Sequence, residues 1–400
     1  MIIQFIIGVK LLEVFRNMQV QVKPQMLRWA RKRAGLSIVD VSARFPDYPR
    51  WEDGQEALTF SQLQKFSSTL NIPIGYFFLD MPPKEEVDIQ DFRTIDGKKI
   101  TNLSVNLRDT IYLCQRRQDW YREYSILNGL DPIDFVGSAR TTDNPKNVAL
   151  IIKKYLKIDE ESFYKTRVDP LKKLRENAES IGILVMINGV VGSNNKRALS
   201  VKEFRGFSLS DDRAPLIFIN GKDSKTAQVF SFLHEVAHIF LGTRGVSNTS
   251  FLGAKDISSV EKWCNAVAAE VLVPLEQVEI FYNKSESVEN NIANLASYFK
   301  VSHLVIILRL KDAKLISKDD FARFWNSEQE KMAKFKEEAK SKGGNFYATL
   351  NVRVGTRFLR AIIGSTQEGG TLFRDAFSLI GIKNRKIFNE LSDKVWGDNV

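Results

Sequence analysis

Residues 230–240 read FSFLHEVAHIF, an apolar helical pattern that carries His234, Glu235 and His238. The whole chain contains 3 histidines, so two of them at this spacing around a glutamate form a specific signal. Side chains at positions i and i+4 share a helix face, and two imidazoles so placed can occupy two corners of a tetrahedral zinc site. The H-E-x-x-H motif is typical of zinc peptidases; the plainer alternative is a buried helix that carries two histidines by chance.

Glu235 is rotated away from the line of the two imidazoles, where its carboxylate can take a proton from an activated water. Zinc lowers the pKa of a bound water to about 7 and polarises a carbonyl group. The motif therefore predicts metal-assisted hydrolysis with Glu235 as general base, and Mn²⁺ or Fe²⁺ is an alternative to Zn²⁺. Arg205 and Arg213 lie on or near the strands that lead to the site, but the sequence does not assign the oxyanion-stabilising group.

A catalytic zinc site also needs a third protein ligand, commonly a glutamate from the following helix. Glu261, 23 residues after the second motif histidine, is the preferred candidate, with Asn265 one turn further on to support a histidine. Ser258-Ser259-Val260-Glu261 is also a capping box, in which Glu261 would only close the start of a helix. Glu270 is a rival ligand that cannot share a helix face with Glu261. His303 is expected to be a structural or surface residue.

The composition fits two or three domains with sizeable cores, since the chain has 400 residues of which 44% are apolar. The net charge of +10 is spread along the chain and does not by itself indicate nucleic-acid binding. Cys114 and Cys264 cannot form a disulfide framework and suit a reducing cytosol, so we expect a cytoplasmic protein. No stretch approaches the roughly 20 apolar residues of a membrane span, which predicts no membrane partner.

Residues 1–17 are interpreted as a possible upstream extension before Met18, since their apolar start lacks the features of a signal peptide. Four parts follow: a helical domain at 18–82, a linker and helical segment at 83–140, a zinc metallopeptidase domain at 141–310, and a helical C-terminal segment at 311–400. Within the second part, the basic and aromatic run at 116–122 is expected to pack as a helix rather than to contact nucleic acid.

Three strands are predicted ahead of the motif helix: Ile181–Ile187, Phe204–Leu209 and Leu216–Asn220. A Gly/Asn loop to about Asn195 separates the first two. Asp223 or Ser224 would cap the motif helix, and Gly242 would end it. This order is the minimal layout of a gluzincin-like peptidase, in which an edge strand can hold an extended peptide beside the metal. The predicted fold class is α+β, with a small sheet in the metallopeptidase domain.

At this point the chain resembles the ImmA/IrrE family of metallo-endopeptidases, in the longer form with an N-terminal helix-turn-helix (XRE-like) domain. The likeness covers residues about 20–310. It is carried by stretches at 27–31, 34–37, 51–54, 72–79, 91–94, 204–207, 217–220, 230–240, 261–265 and 268–274.

The resemblance implies zinc-dependent, site-specific cleavage of a protein substrate, typically a helix-turn-helix transcriptional repressor. Carried over by position, His234, His238 and Glu261 would be the metal ligands and Glu235 the general base. Some members lie beside toxin–antitoxin genes, so such a context is plausible for this chain.

The N-terminal domain has the framework of a helix-turn-helix but a doubtful DNA-reading element. Nine residues separate Val41 from Trp51, and they include Phe45-Pro46-Asp47-Tyr48-Pro49, whose prolines break a helix. The recognition helix should therefore be short or missing, which favours protein docking or autoinhibition over DNA binding. Residues 292–310 have a second helix-turn-helix spacing, for which packing within the peptidase domain is slightly preferred.

Two hypotheses follow from the sequence. The first is an active zinc endopeptidase that acts on a protein partner. The second is a regulator or antitoxin that binds DNA or protein and uses the peptidase fold as a scaffold. The intact His234, Glu235 and His238 favour the enzyme.

Overall fold

The computed structural model describes residues 18–70, 72–83, 103–158, 169–243, 245–247, 258–335 and 346–397. Its residues separate into two compact units. The first comprises the described residues between 18 and 83 together with 103–108, and the second comprises the described residues from 109 to 397. The predicted extension at 1–17, the resembling stretch at 91–94 and most of the linker that begins at 83 lie outside the described residues.

The first unit is built from short helices and one small strand pair. Its elements are β1 Gln19–Val20, α1 Pro24–Arg33, α2 Ile38–Ser42, α3 Tyr48–Glu52, β2 Leu58–Thr59, α4 Phe60–Leu70 and a 3₁₀ helix Ile74–Phe78. The strands β1 and β2 pair antiparallel. Ser37 and Asp40 form a capping box at the start of α2, and α1 and α4 enclose a core that includes Leu27, Phe66 and Phe77.

The interval expected to lack a full recognition helix contains only α3, five residues long with Pro49 in its first turn. Its last residue, Glu52, is buried and accepts hydrogen bonds from Arg31 at 2.8 Å and from Arg28 at 3.1 Å. The hydrogen bonds from Arg31 hold the pKa of Glu52 at about 2, against the opposing effect of burial. Glu52 therefore tethers α3 to α1 by charge-assisted hydrogen bonds.

The second unit is α+β, as predicted. Its helices before the sheet are α5 Val105–Leu127 (the start of which belongs to the first unit), α6 Pro145–Tyr155 and α7 Pro170–Ser180. The strands are β3 Leu184–Asn188, β4 Val190–Val191, β5 Asn194–Ala198, β6 Gly206–Leu209, β7 Leu216–Asn220 and β8 Gly245–Ser247, with α8 Lys225–Leu241 between β7 and β8. Then follow α9 Ser259–Leu272, α10 Leu275–Phe281, α11 Val288–Phe299, α12 His303–Asp312, α13 Lys318–Phe335, α14 Phe346–Val354, α15 Thr356–Gln367, α16 Phe373–Ile380 and α17 Arg385–Gly397.

Four strands form the sheet beneath the motif helix, in the order β3-β7-β6-β8. Strands β3 and β7 are parallel, whereas β6 pairs antiparallel with both β7 and β8. The prediction of β7 matches the observed residues, while β3 and β6 begin later than predicted. The loop expected to about Asn195 is instead the β4–β5 hairpin, in which Gly192 supplies a positive φ of 54° at the turn.

The core of the second unit lies between this sheet and the helices α8 and α9. Every residue of α8 from Gln228 to Phe240 is buried. The last carbonyls of α8 accept hydrogen bonds from the loop after α5, at 3.1 Å from Gly137 to Ile239 and at 2.9 Å from Ala139 to Phe240. These contacts satisfy carbonyl groups that a helix end leaves without intrahelical partners.

The basic and aromatic run in α5 is used for packing within the second unit. Arg117 is buried and donates from Nε to the carbonyl of Leu379 at 2.9 Å. Arg122 forms an ion pair with Asp211 at 2.7 Å. These contacts are those of a packed helix, as expected.

Within the described residues, no single helix is long and apolar enough to span a membrane. The pair α11 and α12 meets that test only jointly, and the two helices are bent by 112°. Residues of both helices, such as Leu295 and Ile306, belong to the core of the second unit.

Candidate metal centre

Helix α8 presents the motif residues inside the second unit. Ser224 caps its first turn by accepting from the N–H of Ala227, and Gly242 ends it with a φ of 69°. A Cβ at position 242 would also lie 3.0 Å from the Cα of Gly137, so glycine is required there for both conformation and space. The exposed fractions of His234, Glu235 and His238 are 0%, 0% and 1%. The whole motif is therefore shielded from bulk water.

Glu261 enters the same site from the first turn of α9. Ser258 caps this helix by accepting from the N–H of Glu261 at 3.3 Å, so half of the predicted capping box forms. The Glu261 carboxylate lies against the imidazoles, with Oε2 at 3.1 Å from His234 Nε2 and Oε1 at 3.2 Å from His238 Nε2. Glu261 thus faces the site and does not merely close the helix.

These three side chains fit the requirements of a zinc ion. The two Nε2 atoms lie 3.1 Å apart, and one ligand atom from each of His234, His238 and Glu261 lies within 4.8 Å of the others. In a tetrahedral site with bonds of about 2.0–2.1 Å, neighbouring ligand atoms are about 3.3–3.4 Å apart. Two imidazole nitrogens and one carboxylate form the donor set of many catalytic zinc sites.

Thr243 orients one of these imidazoles. Its hydroxyl lies 3.0 Å from Nδ1 of His238 and donates to the His238 carbonyl at 3.4 Å. Because the hydroxyl proton points to the carbonyl, its oxygen is free to accept from Nδ1–H, which leaves the Nε2 lone pair of His238 directed at the site. The sequence analysis missed Thr243, since one threonine after a helix-ending glycine carries no recognisable signal.

The expected support from Asn265 is not seen. This residue is buried, and its Oδ1 has no hydrogen-bond partner among the described residues. Nδ1 of His234 is likewise buried without a partner in the part of the chain that the structure describes. Thr243 is therefore the hydrogen-bonding support that the structure provides for a candidate ligand.

The charges around the site favour an anionic Glu261. Burial disfavours its carboxylate, but His234 and His238 outweigh this effect and hold the pKa of Glu261 well below its usual range. Burial, together with the charges of Glu261 and Glu235, raises the pKa of Cys264 well above its usual value. Cys264 is therefore a neutral thiol, although it lies one turn from Glu261.

Gly206 makes room for Glu235. A Cβ at position 206 would lie 3.0 Å from Oε1 of Glu235 and 3.1 Å from the carbonyl oxygen of Phe218. Gly206 also pairs in register with Ser247 of the short strand β8. The carboxylate of Glu235 is thus placed against the sheet, next to the strand pair that ends the sheet on this side.

Other residues considered from the sequence are engaged elsewhere. Glu270 pairs with the buried Arg309, which also donates to the carbonyl of Val273 at 2.8 Å. His303 lies 3.1 Å from a carboxylate oxygen of Glu328 at the start of α12. The candidate oxyanion groups have partners too: Arg205 is paired with Asp223 at 2.7 Å, and Arg213 donates to the carbonyl of Leu130.

Comparison with known families gives two matches. A family model described as the IrrE N-terminal-like domain (Peptidase_M78) matches residues 178–311, from α7 to α12, and a model described only as a domain of unknown function (DUF8813) matches residues 354–394. No curated protein matches the chain. The first match contains the whole candidate metal centre, and it is evidence at the family level for a metallopeptidase of the ImmA/IrrE type.

Proposed function

We propose that this chain is a zinc-dependent endopeptidase that cleaves a partner protein at a specific site, and that the partner is a helix-turn-helix transcriptional repressor. The observation that carries the proposal is the convergence of His234, His238 and Glu261 in one buried cluster, with Glu235 on the same helix. The family match over residues 178–311 supports the coarser part of the proposal, a metallopeptidase of the ImmA/IrrE type.

His234 and His238 of α8 and Glu261 of α9 would hold the ion. When bound, zinc would supply Lewis-acid activation of water and of the scissile carbonyl. By accepting from Nδ1–H, the Thr243 hydroxyl would keep the His238 imidazole in the orientation in which Nε2 is a ligand atom. Glu235 takes a proton from the attacking water and delivers it to the nitrogen of the leaving amine. Its burial excludes the bulk water that would otherwise compete for this proton.

The sheet offers a place for an extended substrate. Strand β8 pairs with β6 on one side and has no further strand on the other side among the described residues. A substrate segment could add to this edge by main-chain hydrogen bonds, as peptides do at other exposed sheet edges. Ser247 of β8 pairs with Gly206, and the carboxylate of Glu235 packs against Gly206. This edge of the sheet therefore lies close to the proposed general base.

The first unit would recruit or restrain the partner rather than read DNA. Helix α3 is five residues long and is fixed to α1 through Glu52, so it offers little surface to a DNA groove. The scaffold hypothesis, in which the chain only binds DNA or protein, is the alternative that the following experiment must exclude.

The test uses purified wild type, Glu235→Gln, His238→Ala and the control His303→Gln, each assayed for bound metal by mass spectrometry. Proteolysis is assayed on a co-expressed candidate repressor and on a proteome-derived peptide library. We expect wild type and the control to bind one zinc and to cleave, Glu235→Gln to bind zinc without cleaving, and His238→Ala to lose both properties. Cleavage that is unchanged in Glu235→Gln would remove this residue from the mechanism. Binding of a repressor without cleavage by any form would support the scaffold hypothesis, and a metal-free wild type would overturn the proposal.

A further inference from the structure

A cavity lies in the second unit and shares no residue with the candidate metal centre. It has a volume of about 980 Å³ and is lined by residues of α5, α7, α14, α15 and α17, with Ile187 of β3 and Lys225 of α8 also at its wall. This volume lies near the upper end of the range of about 300–1,000 Å³ that small-molecule sites occupy. Its lining draws on both family-matched segments, at residues 178–311 and 354–394, and neither family description assigns a ligand.

The cavity carries more positive than negative charge. Its lining contains three acidic side chains and five basic ones, which leaves a net charge of +2. The basic side chains are Lys172, Arg175, Lys225, Arg357 and Arg360. An excess of this size within one cavity attracts a ligand with two negative charges.

The acidic side chains are already engaged by neighbouring groups. Asp169 caps α7 by accepting from the N–H of Leu171 at 3.0 Å, and Glu176 lies 3.9 Å from Lys172. Glu179 accepts from the backbone N–H of Arg357 at 3.4 Å, at the start of α15. Burial raises the pKa of Glu179 to about 7, although Arg175 acts in the opposite direction. Glu179 therefore offsets less positive charge at neutral pH than a full carboxylate would.

Among the described residues, Arg360 is a cation of this cavity that has no ion-pair partner. Its Nε is buried and has no hydrogen-bond partner in the described part of the chain, and no carboxylate there forms an ion pair with it. Oδ1 of Asn351, in the same cavity wall, is also buried without a partner. Arg175 is 8% exposed, and its guanidinium donates from Nη1 to the Asn351 carbonyl at 3.3 Å. Arg360 therefore brings to the cavity wall a positive charge that no ion pair among the described residues neutralises.

Aromatic rings complete the wall. Three aromatic residues, Tyr121, Tyr124 and Trp396, line the cavity. Trp396 is 45% exposed. Arg357 donates from Nε to the Tyr121 hydroxyl at 2.7 Å, so this ring is held in place from within the cavity. Rings of this kind bind the flat face of a ligand, while guanidinium groups bind phosphate oxygens in pairs.

From these observations we propose that the cavity binds a nucleotide-sized anion, a phosphate group joined to a planar ring, with Arg360 and Arg175 at the phosphate and Tyr124 and Trp396 at the ring. The site is independent of the metal centre, because a ligand held there touches neither His234 nor Glu261. Its position between α7, which leads directly into β3, and the C-terminal helices α14, α15 and α17 allows one ligand to contact both parts of the second unit.

Calorimetric titration of the full chain with adenosine monophosphate, adenosine and inorganic phosphate tests this proposal. We expect adenosine monophosphate to bind, and adenosine and phosphate alone each to bind at least about tenfold more weakly. Arg360→Gln should weaken the binding of adenosine monophosphate by about tenfold or more, because a hydrogen bond between charged partners is lost. The matched control is Arg374→Gln, which removes an arginine that is 84% exposed from the same C-terminal region.

Circular dichroism and thermal unfolding show whether each variant is folded. If Arg360→Gln fails to fold, Lys172→Gln at the rim, where the side chain is 62% exposed, takes its place and should weaken binding about threefold. The proposal is overturned if neither adenosine monophosphate nor phosphate binds at millimolar concentration, or if the folded cavity variants bind as the wild type does. Binding of an oligothymidylate in place of adenosine monophosphate would also overturn it, since the source of phosphate would then be a nucleic acid. None of these outcomes depends on zinc binding. This experiment therefore tests the anion site separately from the proposed peptidase activity.

Discussion

Replacing Thr243 by valine should weaken zinc binding while leaving the fold intact. Valine has nearly the shape of threonine but lacks the hydroxyl that lies 3.0 Å from His238 Nδ1. The backbone N–H of residue 243 donates to the His238 carbonyl at 3.2 Å, and this hydrogen bond persists in the variant. The end of α8 should therefore keep its shape, and the change isolates the support given to one imidazole.

Two independent estimates give the size of the effect. A hydrogen bond between neutral groups, such as this hydroxyl and imidazole, contributes about 0.5–1.5 kcal/mol. Removing the outer partner of a metal-binding histidine typically lowers metal affinity by about 10–100-fold, which corresponds to about 1.4–2.8 kcal/mol. Thr243 is only partly buried, so water can replace its hydroxyl in part. We therefore expect a loss of about tenfold, which is where the two ranges meet.

The assay is a competitive zinc titration against a chromogenic chelator near neutral pH. Thr243→Ser is the matched control, because it keeps the hydroxyl and loses only a methyl group, and it should bind zinc nearly as the wild type does. Thermal unfolding of the metal-free proteins checks that all three share the same stability. Equal zinc affinity in the wild type and in Thr243→Val would refute the reasoning, as would an equal loss in the valine and serine variants.

Three further predictions concern other buried groups. Gly206→Ala should lower peptidase turnover at least about tenfold with zinc still bound, because a Cβ at 3.0 Å from Glu235 Oε1 would displace the proposed general base. Loss of zinc together with activity would contradict this. Glu179 binds its proton more tightly in the folded state, with a pKa of about 7 against an ordinary 4.5. Stability should therefore fall by about 3 kcal/mol as the pH rises from about 4.5 to about 7, and Glu179→Gln should flatten this slope in urea unfolding at several pH values. Arg309→Met should reduce the free energy of unfolding by about 3–5 kcal/mol, because it leaves Glu270 buried without its partner, and adding Glu270→Met should restore most of the loss.

The sequence predicted those parts of the fold in which one strong local pattern decides the outcome. Strand β7 is a continuous apolar run, and its observed bounds are those predicted. The β4–β5 hairpin was predicted as a loop because Asn194, Asn195 and Lys196 are polar, exposed and poor strand formers. These residues form a strand because they pair with β4, and not because of their intrinsic propensity. Strand β8 was not predicted, because its three residues are too few to show the alternating pattern of a strand. Their pairing with β6 makes them a strand.

The residues of the candidate site also differ in whether a local pattern predicts them. His234, Glu235 and His238 lie within five residues of one helix, so their spacing alone predicts a shared site. Glu261 and Glu270 both lie on α9, and spacing could not choose between them. The structure separates them by partner, since Glu270 pairs with Arg309 of α12 while Glu261 faces the two imidazoles. Arg309 comes 39 residues after Glu270, and no local pattern connects residues that far apart.

The ends of α8 and α9 explain why a cation is favoured between them. His238 lies in the last turn of α8, where the helix dipole and the terminal carbonyls carry partial negative charge. Glu261 lies in the first turn of α9, where partial positive charge stabilises a carboxylate, and Ser258 fixes that turn by capping it. A positive ion at the three side chains therefore gains from the carboxylate and from the end of α8, while the start of α9 helps to keep Glu261 ionised. Removing the cap by Ser258→Ala should loosen this turn and reduce zinc affinity without altering any ligand atom. If the cap served the helix alone, the substitution would change only the stability of α9 and leave zinc affinity unchanged.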